Sequence, residues 1–292
     1  MKKRIVLSTV GLILTAAGCG NGGSTEAGSN STIVAAFYPL AFAAERVGGG
    51  EPEVRNLTPP GVEPHDLELS ARDVRTVADA DLVLYLGQGF QPAIEDVLAS
   101  TDARAVDLLD GLELLEDAEE QGSEGGGRDP HVWLDPLRYA AIAERLGEEL
   151  DRPEAAGDLA AALRALDGEF QAGLADCERR ELVTSHAAFG YLAERYDLAQ
   201  VALSGLEPEA EPTPRELEQV VQEVRAHGAT TIFFETLVSP RLAQTVAREV
   251  GARTSTLNPL EGLTPEEIDD GADYFSVMRA NLAALREALE CR

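Results

Sequence analysis

His65, His131 and His186 are three of only four histidines in the chain, and each stands among polar or proline residues. Imidazole nitrogens are borderline-soft donors, and three of them with one further oxygen ligand make a tetrahedral site of the kind that suits zinc. The stretch Asp129-Pro130-His131-Val132-Trp133-Leu134-Asp135-Pro136 also holds the only tryptophan, and its prolines stiffen the backbone and keep it out of a helix interior. His65 closes a loop stiffened by Pro59, Pro60 and Pro64. The three histidines are far apart in sequence, so they form no local finger and no HExxH pair, and their spacing alone says little. His227 falls late in an amphipathic helical pattern and reads as an ordinary polar residue.

Holding such residues together requires a frame, and the pattern around them supplies one. Segments at residues 32–37, 53–57, 81–87 and 103–107 read as strands, the first an apolar run. They alternate with helical segments that start at Pro39, after a Ser70 cap, and at Pro92. This alternation predicts a mostly parallel sheet, whose strand carboxyl ends collect ligands. Residues 137 to about 177 are strongly helical, with one break near Asp151-Arg152-Pro153, and read as a spine. Strands at 181–184, 200–203, 230–234 and 253–257 then alternate with helices once more, one of them capped by Thr213. The expectation is an α/β protein: a first lobe over 32–136, a spine region over 137–180 and a second α/β lobe over 181–292. The metal site would lie in the cleft between the lobes. Asp135 reads as a helix cap, and Trp133 as core.

The first residues read as an export signal: Met1-Lys2-Lys3-Arg4, then an apolar run from Ile5 to Ala17 that is too short to span a bilayer comfortably. Ala16-Ala17-Gly18-Cys19 resembles a bacterial lipobox, so residues 1–18 would be removed and Cys19 lipidated. The alternative is ordinary cleavage without lipid. Residues 19–31 would be a disordered Gly/Ser-rich tether. The formal net charge is −28 at pH 7, and every basic residue after Arg4 is arginine. Such a surface repels nucleic acid and anionic lipid. It reads first as a compositional or salt adaptation and makes no site by itself. In an exported chain, Cys177 and Cys291 are expected to pair. Residues 116–128 are acidic and Gly-rich, contain no histidine and read as a solvated loop.

Three motifs together resemble the substrate-binding proteins of zinc/manganese ABC importers. They are Gly61-Val62-Glu63-Pro64-His65-Asp66, the 129–136 stretch, and Thr184-Ser185-His186-Ala187-Ala188-Phe189-Gly190-Tyr191. Phe233-Phe234-Glu235 and Leu257-Asn258-Pro259-Leu260-Glu261-Gly262-Leu263 fit the same family. The match runs from about Thr32 to the C-terminus with the motifs in the family's order. It implies two α/β lobes joined by one long helix, with His65 and His131 from the first lobe and His186 and the 258 region from the second.

Family members often carry Asp where Asn258 stands. The fourth position is therefore expected to be Asn258, water, or a nearby carboxylate such as Glu63 or Glu261. Glu235, Asp66 and Asp135 could orient imidazoles. Manganese-type members replace the third histidine with a carboxylate, so His186 favours zinc, with manganese the alternative metal.

The function this implies is capture of a divalent transition metal outside the cytoplasm and delivery to an ABC permease and its ATPase, by a monomer held to the membrane through its lipid alone. A zinc hydrolase or a surface adhesin is the competing reading. The hydrolase would need an open coordination position and a general base, and the sequence has neither an HExxH pair nor a nucleophile elbow.

Overall fold

The computed structural model describes residues 31–116, 127–208 and 212–292. The expected leader, the expected lipidation site Cys19, all but the last residue of the expected tether and residues 117–126 of the acidic stretch lie outside the described residues. In the first half, β1 (Thr32–Ala35), α1 (Tyr38–Gly48), β2 (Glu53–Asn56), α2 (Ala71–Ala78), β3 (Leu82–Tyr85), α3 (Pro92–Ser100) and β4 (Ala105–Asp107) alternate. A 3-10 turn (Val132–Leu134) leads into α4 (Pro136–Glu149) and α5 (Pro153–Leu174). The second half runs β5 (Glu181–Thr184), α6 (Gly190–Arg195), β6 (Ala199–Ala202), α7 (Pro214–His227), β7 (Thr231–Phe234), α8 (Arg241–Val250), β8 (Arg253–Thr256), α9 (Pro265–Asp269) and α10 (Tyr274–Ala288).

Each half builds a four-stranded parallel sheet, in the orders β2-β1-β3-β4 and β6-β5-β7-β8. The central strands are covered on both faces, which is why β1 and β3 read as unbroken apolar runs: Ile33, Val34 and Ala35, and Leu82, Val83 and Leu84, are all buried. The edge strands β2 and β8 carry Glu53, Arg55 and Arg253 into solvent, which discourages edge-to-edge pairing with another chain. The expected caps are in place. Ser70 and Thr213 each close a capping box, with Asp73 and Glu216. Asp135 accepts from Leu137 N at 2.8 Å at the start of α4.

The helical stretch that reads as one interrupted spine is two helices folded back on each other. Asp151 takes a left-handed conformation (φ 55°) at the turn. The helices meet so closely that a Cβ on Gly147 would lie 2.4 Å from that of Ala156. Only glycine fits there. The 22-residue α5 is about 33 Å long at 1.5 Å per residue. It is the connection between the halves, and both α4 and α5 pack against α1.

One apolar cluster runs from the first sheet through α4 and α5 to α6, α10 and Leu182 of β5. A smaller aliphatic cluster, including Val183, Val224, Ile232 and Val246, lies between the second sheet and α7 and α8. The halves are thus joined through shared core. Cys177 and Cys291 form a disulfide that fastens the end of α5 to the end of α10. Among the described residues, no helix is long and apolar enough to cross a membrane.

Candidate metal centre

Every residue of the site follows a strand. His65 lies beyond β2, His131 beyond β4, His186 beyond β5, Glu235 beyond β7 and Glu261 beyond β8. The carboxyl ends of the two sheets therefore face one another, where parallel α/β sheets gather ligands. One donor atom from each of His65, His131, His186 and Glu261 lies within 4.8 Å of all the others, and all four residues are buried. Glu261 Oε1 is 3.1 Å from His131 Nε2, 3.2 Å from His186 Nε2 and 3.5 Å from His65 Nε2.

A tetrahedral zinc with bonds of about 2.0–2.1 Å needs donors separated by about 3.3 Å. The three separations from Glu261 bracket that value, and three imidazoles with one carboxylate are a zinc-type donor set. The second oxygen of Glu261 is buried without a hydrogen-bond partner, a state that is costly unless something else draws on it.

The far side of two imidazoles is fixed. His131 Nδ1 faces Asp129 Oδ1 at 2.7 Å, and the same oxygen accepts from His131 N at 2.9 Å. His186 Nδ1 faces Glu235 Oε1 at 2.7 Å, which also accepts from Ser185 Oγ at 2.5 Å. A carboxylate that accepts from Nδ1–H leaves the Nε2 lone pair free for a metal. Glu235 thus stands behind His186, where it could orient that imidazole. Asp135 caps α4 and pairs with Arg138 and Arg195 instead, and Asp66 is exposed. Asp129, two residues before His131, was not anticipated, although the Asp-Pro-His triplet was a signal that could have found it.

The side-chain amide of Asn258, weighed for the fourth place, is engaged elsewhere. Its Oδ1 accepts from Leu260 N at 2.7 Å, and its Nδ2 donates to Glu267 at 2.9 Å. Its backbone is paired twice with the Asn281 amide of α10. The side chain thus builds an Asx turn that holds Leu260 at φ 59°, a left-handed conformation that a branched residue rarely adopts unaided. That turn aims the next residue, Glu261, at the imidazoles. Glu63, the other carboxylate weighed for the place, lies outside the four-donor group, and its Oε1 accepts from His65 N at 3.1 Å. Burial and the Glu261 charge push its carboxyl up to about 9, so it is protonated at neutral pH.

The stretch around His131 is clamped by groups of the second half. Tyr191 OH donates to Asp129 O, Trp133 Nε1 donates to Pro259 O and Tyr274 OH donates to Trp133 O, all within 2.7 Å. Trp133 is core, as expected. Arg195 of α6 lies between Asp135 and Asp167 of α5, 3.3 and 2.5 Å away. These bonds explain how a first-half histidine keeps register with His186.

The charges reinforce one another. Burial opposes a proton on His65, but contacts with Glu207 and Glu261 raise it to about 10. Burial likewise opposes a charged His186, and Glu235 and Glu261 nonetheless hold it well above the usual imidazole range. Glu261 is fully buried, which disfavours its charge, yet His186, His131 and His65 keep it ionised far below the ordinary carboxylate range.

This frame and site define a class: two-lobed α/β solute-binding proteins with a buried histidine–carboxylate centre between the lobes. A family model described as "Zinc-uptake complex component A periplasmic" matches residues 33–288. The zinc-binding protein AdcA of Streptococcus pyogenes serotype M3 is 34% identical over 283 residues, 87% of this chain and 55% of that protein. This chain therefore spans about half the length of that relative. The high-affinity zinc uptake system protein ZnuA of Bacillus subtilis is 32% identical over 300 residues and 94% of each chain. Among solved structures, the Zn(II)-bound ZnuA-like domain of Streptococcus pneumoniae AdcA has a TM-score of 0.75 at 35% identity, covering 89% of this chain and 99% of that one. The chain belongs to the ZnuA family.

Proposed function

We propose that this protein captures zinc outside the cytoplasm, with His65, His131, His186 and Glu261 as ligands, and delivers it to an ABC permease and its ATPase. The observation that carries this reading is the meeting of four zinc-type donors, from both lobes, at facing strand ends. A site shared between lobes can be assembled around an ion and taken apart again for delivery. Four protein donors complete a tetrahedron and leave no position for an activated water, which favours binding over a hydrolase reading. The set is softer than a two-histidine, two-carboxylate site, which favours zinc over manganese. The protein acts as a monomer, lipidated at Cys19 and held at the membrane by that anchor.

The test is dialysis of the stripped chain, begun at Gly20, against equal zinc and manganese, with bound metal counted by mass spectrometry. One zinc per chain, lost in the His131→Ala and His186→Ala variants, is the expected result. Preferential manganese binding, or no bound metal, would overturn it.

A further inference from the structure

The three imidazoles differ in what stands behind them. His131 and His186 each face a buried carboxylate at 2.7 Å from their own half of the chain, Asp129 and Glu235. The Nδ1 of His65 is buried without a hydrogen-bond partner, and its nearest ion-pair partner is Glu207 Oε2 at 3.6 Å. Glu207 belongs to the other half, in the connection from β6 to α7, and its side chain is 62% exposed while that of His65 is 2% exposed.

Its own placement is fixed by the second histidine loop. Ala187 N donates to Gly205 O at 2.9 Å, and Ser204 N and Oγ both donate to Ser185 O at 3.0 Å. Pro208 follows Glu207 and confines it to extended backbone. The carboxylate that points at His65 is therefore carried on a strap fastened to the loop of His186.

We infer that Glu207 is the positioning residue for His65, a contact across the cleft that completes a set in which every imidazole has its own carboxylate. A metal on Nε2 fixes the other ring nitrogen as Nδ1–H, which then needs an acceptor. A shift of a few tenths of an ångström brings Glu207 into hydrogen-bond range. Because this carboxylate remains in water, the contact forms and breaks at lower desolvation cost than those of Asp129 and Glu235. It would thus govern how long the ion stays rather than whether the site exists.

This inference rests on the zinc-binding reading above, and one experiment separates the two. Zinc release from the full mature chain is followed by stopped flow against an excess of chelator, with folding checked by circular dichroism. Removal of a carboxylate behind a ligating histidine weakens metal sites by about 10–100-fold. Glu207→Ala is expected to speed release about tenfold at unchanged stoichiometry, and Glu207→Gln, which keeps an acceptor oxygen, to fall between it and the parent. The exposed Glu218→Ala variant removes the same surface charge elsewhere and should leave release unchanged. In a His65→Ala background, Glu207→Ala should have no further effect. Release within twofold of the parent, or an equal acceleration without His65, would overturn the positioning role while leaving zinc binding intact. Failure of the parent chain to bind zinc would overturn both.

Discussion

Zinc binding at pH 7.5 should expel about two protons, and the structure says from where. In the metal-free protein His65 is raised to about 10, and His186 is held well above the ordinary imidazole range. Both carry a proton at pH 7.5 that must leave before Nε2 can coordinate. For His65 the gap of 2.5 pH units is worth about 3 kcal/mol of apparent affinity at 1.36 kcal/mol per unit. Glu261 is already ionised and contributes no proton. Glu63, raised to about 9, adds to this release if the metal's charge also expels its proton. Three imidazoles with ordinary values near 6.5 would together release only about 0.3 proton at this pH. Titration calorimetry in buffers of different ionisation enthalpy counts the protons directly. Chelator competition at several pH values should show affinity rising by up to about 100-fold per pH unit between pH 6.5 and 8.5. Release of less than half a proton, with affinity flat above pH 7.5, would refute the reasoning, because the carboxylates would then not be holding the imidazoles charged.

The same groups give the metal-free protein a distinctive stability profile. His65 is raised on folding, so its contribution is fully present below about pH 6.5 and lost as pH rises toward 10, and the protonated Glu63 adds in the same direction. The thermal midpoint without metal should fall between pH 6.5 and 9, while the increment added by zinc grows; a metal-free midpoint rising over that range would contradict this. Glu261→Gln should weaken zinc more than 100-fold in a competition assay with little loss of thermal stability. Asn258→Ala should do the reverse: it removes two side-chain hydrogen bonds, worth about 2 kcal/mol together, and should lower the midpoint by several degrees with a smaller effect on affinity. Replacing Cys177 and Cys291 by serine opens a link between residues 114 apart. It should cost about 2–4 kcal/mol in denaturant unfolding, and an unchanged midpoint would show that the disulfide does not form in solution.

The frame was legible because its signals are local. Apolar runs, Pro and Gly punctuation and the Ser70, Asp135 and Thr213 caps each depend on a few neighbouring residues, and the structure places them accordingly. The reversal between α4 and α5 was only half legible. The break at 151–153 shows in the sequence, but the direction of the chain after it depends on Gly147 meeting Ala156, a contact between elements. The three histidines were legible as a set. The meeting of Glu261 with the imidazoles was not, because it turns on one left-handed residue, Leu260, which looks unremarkable in sequence. Asp66 illustrates the same limit: it adjoins His65, yet it is exposed while His65 is buried. Glu207 carries no sequence signal at all, since its partner lies in the other half of the chain.

X-ray absorption at the zinc edge of the loaded protein tests the central claim most directly. The account expects one zinc per chain with three imidazole nitrogens at about 2.0–2.1 Å and one carboxylate oxygen. It also expects that oxygen to be replaced or lost in Glu261→Gln and retained in Asn258→Ala. A first shell with fewer than three nitrogens, or one unaltered by Glu261→Gln, would contradict it.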